Sequence, residues 1–289
     1  MMIASMFAFG TIGLFVNNIG FPSSFIAFAR AFIGSVFISA FMLFFKLKPD
    51  TTAVKRNLKI LVPAGIAMGF NWIFLFEAYK YTGVAVATLC YYMAPVIMIL
   101  VSPFILKEKM TVVKAVSSFV AVVGAVLISG VFSGTVKSVK GIAFGLAAAV
   151  LYATVVLLNR FVKGLPPVES TLIQMISAAV VMIPYVLLTE DVRSFVFDKK
   201  SVIFTLIVGI FHTGFVYVVY FGSVRKIPTQ TTAVFSYIDP VTAIILSALI
   251  LHETITPVQI AGTVLILGAT LFNELASSKS KLKSRRDSI

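Results

Sequence analysis

The chain reads as an all-α integral membrane protein of ten transmembrane helices, arranged as two inverted five-helix repeats. Three observations carry that reading. Hydrophobic residues make up 59% of the 289 residues and charged residues 12%, whereas a soluble domain is about a quarter charged. Apolar runs near the ~20 residues that cross a hydrocarbon core recur along the whole length. Finally, YMAPVIMILVSPFILKEKMTVV (92–113) and YIDPVTAIILSALILHETITPV (237–258) align without a gap, with 10 of 22 positions identical. Self-similarity at a fixed offset marks a duplicated unit.

Ten spans follow in order: 2–19, 22–45, 60–79, 84–106, 111–132, 141–162, 166–188, 201–224, 228–251 and 255–276. Met1 to Ile19 lacks a basic leading region and runs into a second apolar stretch, so it reads as span 1 rather than a cleavable leader. Pro22, Pro166 and Pro228 open helices, where a missing amide donor costs little. Pro63, Pro95, Pro184 and Pro240 fall inside spans, and Pro95 and Pro240 occupy equivalent repeat positions as helix-break or gating candidates. Polar connections are expected at 46–59, 133–140 and 189–200. The units are then 1–132 and 141–276, joined by a linker at 133–140 and followed by a basic tail at 277–289.

Basic residues orient the chain. With the N-terminus cytoplasmic, inside segments hold 17 of the 24 Lys and Arg, outside segments hold 6, and Arg30 lies within a span. That asymmetry places both termini in the cytoplasm. It also accounts for most of the net charge of +13, so a nucleic-acid partner is not expected. Five helices per repeat is an odd number, so the copies enter the bilayer in opposite senses, a natural frame for alternating access.

The stretch YKYTGVAVATLCYYMAP (79–95), the Glu108 turn followed by Thr111, TQTTAVFSYIDPVTAIILSALILHE (229–253) and the Arg30-containing start of span 2 resemble the drug/metabolite transporter superfamily, specifically its ten-helix EamA-type members. The resemblance covers nearly the whole chain. It implies spans 1–4 and 6–9 around a central cavity, with spans 5 and 10 peripheral. It further implies a plasma-membrane secondary transporter, most plainly an exporter, of a small organic solute such as an amino acid or metabolite. Drug or organic-cation efflux is the alternative; an intramembrane enzyme or a non-transporting sensor is weaker still. The solute, the coupling ion and the oligomeric state are not written in the sequence.

Polar groups within spans are costly and need a reason. Asp239, beside Pro240 and opposite the neutral Ala94 of the first repeat, is either a substrate or proton site or a carboxylate locking helices together. His212 is a proton relay or a satisfied core histidine, with Phe215, Val216, Val219 and Tyr220 on or near its helical face. Arg30 either attracts a carboxylate or pairs with Glu77, for which Lys80 competes. Asn71 and Gln174 line a cavity or bond across helices. Trp72, Tyr91, Tyr92, Tyr152, Tyr217, Tyr220 and Tyr237 sit at interior depth and suit either a tyrosine-walled pocket or plain packing. Tyr92 and Tyr237 are repeat-equivalent, which suggests a shared architectural or gating role. With two histidines and one cysteine, no metal site is expected, and the absence of a glycine-rich phosphate loop argues against ATP-driven transport or another cofactor. Cys90 reads as a small buried hydrophobe, and no serine elbow or protease-like acid pair is present.

Overall fold

The computed structural model describes residues 1–47, 49–108, 110–128, 138–224, 226–227 and 229–286. Regular structure among them is helical: α1 (Met2–Val16), α2 (Ser23–Phe44), α3 (Thr51–Thr82), α4 (Val84–Tyr91), α5 (Ala94–Ile105), α6 (Val112–Ile128), α7 (Val139–Asn159), α8 (Pro167–Thr189), α9 (Lys199–Leu206), a π-helical segment (Ile207–Phe215), α10 (Val216–Val224), α11 (Thr229–Ser236), α12 (Ile238–Ile250) and α13 (Pro257–Arg286). Seven helices are long and apolar enough to cross a membrane, the spans around α2, α3, α4–α5, α7, α8, α9–α10 and α13. Three shorter apolar helices, Met2–Val16, Val112–Ile128 and Val234–Ile250, stand where the other expected spans lie.

Element boundaries follow local chemistry. Pro22 and Pro166 sit at the N-caps of α2 and α8, while Pro228 and most of the expected linker (133–137) lie outside the described residues. The connection expected at 46–59 is shorter than that, because helix α3 begins at Thr51. Asp50 caps it, accepting hydrogen bonds from the amides of Thr52 (3.0 Å) and Ala53 (2.9 Å), two of the donors a helix start leaves orphaned. The backbone of α13 runs on to Arg286, so most of the expected tail is helical.

The bundle combines close helix approach with fully buried large side chains such as Phe76, Ile26, Met175 and Met182. Ala27, Ala31, Ala64, Ala78, Ala87, Ala148, Ala149 and Ala178 are fully buried at helix contacts. Between apolar helices in lipid, small residues gain dispersion contact that a hydrophobic effect does not supply. Helix α3 packs on α7 and α8, α2 on α8 and the π segment, α1 on α12, and α4 on α12. Helices α6 and α13 pack on each other, with Gly124 and Gly262 face to face; a Cβ on either would lie 2.6–2.7 Å from the other's carbonyl oxygen. Other large apolar side chains point outward, among them Phe104, Phe119, Leu187, Leu188, Leu249 and Val264, as lipid contact requires.

The turns after α5 and α12 repeat each other 145 residues apart. Lys107 and His252 both have positive φ, 54° and 53°. The amides of Leu106 and Glu108 bond Ser102 O at 2.8 and 3.5 Å, and those of Leu251 and Glu253 bond Ser247 O at 3.1 Å each. Ser102 and Ser247 hydroxyls each donate to the carbonyl three residues back. The same backbone signature thus stands at both ends of the sequence repeat.

Candidate functional site

Two helix interruptions build the site. Helix α4 ends at Tyr91 and α5 starts at Ala94, one residue before Pro95; α11 ends at Ser236 and α12 starts at Ile238, two before Pro240. Proline cannot donate an i→i−4 bond and clashes with the preceding turn, so both breaks fall where the sequence placed them. At their meeting point the Tyr92 hydroxyl donates to Asp239 Oδ2 at 2.9 Å and lies 3.4 Å from Ser236 O. Asp239 is half-buried and makes no ion pair among the described residues.

Around this carboxylate stands a group of tyrosines. Tyr91 packs on Tyr152 (5.1 Å between ring centroids) and on Tyr92 (6.1 Å). Tyr217 and Tyr220 pack edge-on against Phe9 of α1, at 5.3 and 5.9 Å. The Tyr91 hydroxyl interacts electrostatically with those of Tyr152 and Tyr217 and with Asp239. Tyr91, Tyr92, Tyr152 and Tyr217 therefore converge, with Tyr220 beside Tyr217 on Phe9. Tyr237 does not take the role of its equivalent Tyr92: Ala94 offers it no carboxylate, and its hydroxyl neighbours Thr270 of α13 instead.

A second polar group lies across Tyr79, which is buried and electrostatically in reach of Asp239, Arg30 and Glu253. Arg30 does not pair with Glu77. Its guanidinium carbon sits 4.1 Å from the centre of the Trp72 ring, and its Nε donates to Thr213 Oγ1 at 2.8 Å. Glu77 is taken by Lys80 at 3.0 Å, one turn along the same helix; that local pair needs no long-range packing to form.

The π segment explains the geometry around His212. In a π turn the bonding runs i→i+5, and Thr213 Oγ1 itself donates to Val208 O, five residues back, at 2.8 Å. The wider turn buries His212 and Thr213 side by side. It also leaves Phe215 half exposed, off the histidine's face, contrary to the α-helical expectation. His212 Nε2 meets Thr11 Oγ1 at 2.8 Å, with Phe15 against the ring; its Nδ1 is sealed without a partner among the described residues. Asn71 and Gln174 bond across elements, to Ala148 O (2.6 Å) and Asn159 Oδ1 (2.6 Å), as structural ties.

Glu253 is the functional group least visible beforehand. Its carboxylate accepts the amides of Val84 (2.7 Å) and Ala85 (3.0 Å), capping α4 from the other half of the chain. Gly83, at φ 82°, allows this: a Cβ there would lie 2.6 Å from Glu253 Oε1. The repeat identity of Glu108 and Glu253 was its only signal in sequence. Glu274 of α13 is a further acid that the span reading passed over; its Oε2 is sealed and unpaired among the described residues. No cluster of three or more His, Cys, Asp or Glu able to hold a metal occurs among the described residues.

The EamA-like transporter family model matches residues 1–130 and again 139–274. The chain belongs to the EamA-like transporter family. YxxF, an uncharacterized transporter of Bacillus subtilis (strain 168), is 30% identical over 276 residues, 92% of this chain and 88% of that one. An uncharacterized transporter of Archaeoglobus fulgidus is 25% identical over 274 residues, 93% of each. A crystal structure at 19% identity superimposes with a TM-score of 0.68 over 96% of both chains, which shows the fold alone. This EamA-like protein is therefore a multi-pass membrane protein whose relatives are transporters.

Proposed function

We propose that this EamA-like protein is a secondary transporter that exports a small organic solute, such as an amino acid or related metabolite, across the plasma membrane. Residues 1–132 and 141–276 form two inverted five-helix units with both termini cytoplasmic, and a pocket between them opens to either face in turn. Asp239 and His212 are the groups through which a proton gradient would act. No enzymatic step is part of this reading, and it calls for the lipid bilayer and the solute as partners, with no nucleic acid.

One observation carries it: two turns of the same backbone geometry hold their glutamates differently. Glu253 is docked on the first turn of α4, whereas Glu108 is held by Lys114 Nζ (2.8 Å) and Arg160 Nη1 (3.2 Å). The positions that match Val84 and Ala85, 145 residues on, are Thr229 and Gln230, where α11 starts. In opposite orientations, one turn closes the outer side while the other leaves the inner side undocked. Exchanging the two roles is an access switch of the kind inverted repeats permit.

A chain carrying Cys90→Ser and Ser236→Cys tests this without knowledge of the solute. Position 236 should react with membrane-impermeant maleimide from the cytoplasmic face by default. It should react from the outer face as well once Glu253 is removed. Labelling confined to one face in both backgrounds would end the alternating-access reading. Uptake into inverted vesicles then gives the direction of flux.

A further inference from the structure

Helix α3 is longer than a bilayer needs, and its surplus carries an exposed cationic face. Its 32 residues extend about 48 Å at ~1.5 Å per residue, against a hydrocarbon core of ~30 Å. From Ile60 to Phe76 the helix holds no charge, a stretch of about 26 Å. Lys59 closes that stretch at one end, and Glu77 and Lys80 close it at the other. Lys59 therefore stands at the edge of the apolar layer, with Lys55 one turn farther out at headgroup depth.

The packing fixes which face looks outward. Ala53, Asn57, Leu61 and Ala64 form the opposite side of the helix and are buried. Asn57 grips the turn between α7 and α8 in both directions: its Nδ2 donates to Lys163 O at 2.9 Å, and Lys163 N donates to its Oδ1 at 3.1 Å. Arg56 Nη2 donates to the same carbonyl at 3.0 Å. Lys55, Leu58, Lys59 and Val62, at i, i+3, i+4 and i+7, are left on one exposed stripe. Like charges four residues apart repel, and neither lysine enters an ion pair among the described residues. Helix α3 holds no acid before Glu77. Of the nearest acids, Asp50 Oδ1 caps the helix, and Glu169 Oε2 accepts the Asp50 amide.

The end of α2 reaches the same membrane surface, since only residues 45–50 separate it from α3. It exposes Leu43, Phe44 (82%), Phe45 and Leu47, with Lys46 exposed among them in a left-handed turn (φ 53°). Basic clusters next to a spanning helix attract anionic headgroups. Here the two free ammonium groups stand directly over aliphatic side chains that face lipid, a pattern that suits a molecule with an anionic head and an apolar tail better than a soluble anion. We infer that this stripe is a site for an anionic phospholipid, with Lys55 and Lys59 receiving the phosphate and Leu58 and Val62 lying along an acyl chain. Zwitterionic lipids carry their own ammonium group beside the phosphate and are the weaker ligands.

The test titrates the full chain, delipidated in detergent, with phosphatidylglycerol, with phosphatidylcholine of the same chains, and with glycerophosphoglycerol, the headgroup alone. Native mass spectrometry counts the bound molecules. Phosphatidylglycerol should bind at least tenfold more tightly than either of the others. The double variant Lys55→Gln, Lys59→Gln should lose that preference. Both positions are exposed and glutamine is as good a helix former as lysine, so an unchanged melting temperature checks that the fold is kept. A control, Lys107→Gln with Lys226→Gln, deletes the same charge at other exposed positions and should keep the preference. Equal loss in both double variants would mean diffuse attraction to a basic protein. An unchanged preference without Lys55 and Lys59 would place the lipid elsewhere, and a headgroup that binds as tightly as the intact lipid would make this a soluble-anion site. Any of these three results overturns the inference, as does a wild-type chain that does not distinguish the two lipids.

Discussion

The turn after α12 and the turn after α5 share sequence, φ angles and backbone bonds, yet their glutamates are spent in different ways. Glu253 accepts the orphaned amides of a helix start, where a carboxylate also meets the positive end of the helix dipole. Glu108 faces solvent and two cations, with 37% of its side chain exposed. The difference teaches that one repeated turn serves two different contacts, a helix cap at Glu253 and a pair of ion pairs at Glu108. Backbone geometry is common to both, and only the docking partner distinguishes them.

Four experiments break or sharpen that contrast. Glu253→Ala should do the most. It leaves two partly buried amides without their charged acceptor, at a cost of about 2–4 kcal/mol. Melting temperature in nanodiscs should fall, and labelling of Ser236→Cys from the outer face should rise at least tenfold; an unchanged labelling pattern would mean the contact is a cap and nothing more. Gly83→Ala acts on the same joint from the other side. Its φ of 82° and ψ of 170° belong to a region almost reserved for glycine, where another residue costs about 1–3 kcal/mol. The new methyl would also displace the carboxylate, so this variant should share the Glu253→Ala labelling phenotype.

Glu108→Gln should separate the two turns. Exposed ion pairs are worth a few tenths of a kcal/mol, so stability should barely move. If Glu108 docks on α11 in the opposite setting, however, transport should slow by tenfold or more, measured as counterflow in proteoliposomes. Normal flux would mean that only the outer turn works as a latch. The smallest effect concerns pH. The hydrogen bond from Lys114, with help from its charge and that of Arg160, holds the Glu108 carboxyl below its ordinary range. A lowered folded-state value means the pair stabilises above the ordinary carboxylate range and that its contribution fades as pH falls through the lowered one. Lys114→Gln should move the titration midpoint of the Glu108 carboxyl resonance upward, toward but not fully to the ordinary one because Arg160 remains, by 13C NMR, with a stability change of only a few tenths of a kcal/mol.

Much of this architecture was legible in the residues because the bilayer imposes it. Span length, proline breaks at Pro95 and Pro240, and the matched turns all follow from constraints that act on short stretches. The convergence of Asp239 with Tyr92 was half legible: both were singled out, but nothing in one repeat says it touches the other. The partner of Arg30 was missed because Thr213 reaches it only through the π segment, and hydropathy does not distinguish i→i+4 from i→i+5 bonding. The extra turns at the start of α3 were missed because a short Asp50 cap outweighs a run of Lys and Arg that otherwise reads as a loop. Glu253 as a cap was hidden for a simpler reason, since the helix it caps begins 169 residues earlier.

The π segment carries a lesson for anyone cutting or threading this gene. Removing one residue between Ile207 and Phe215 would let the stretch relax to ordinary helix, and everything after it would swing by about 100°. Tyr217 and Tyr220 would then turn away from Phe9 toward the lipid, and their edge-on packing would be lost without a single side chain having been altered. Alignments that close a gap there would silently rotate Tyr217 and Tyr220 out of place.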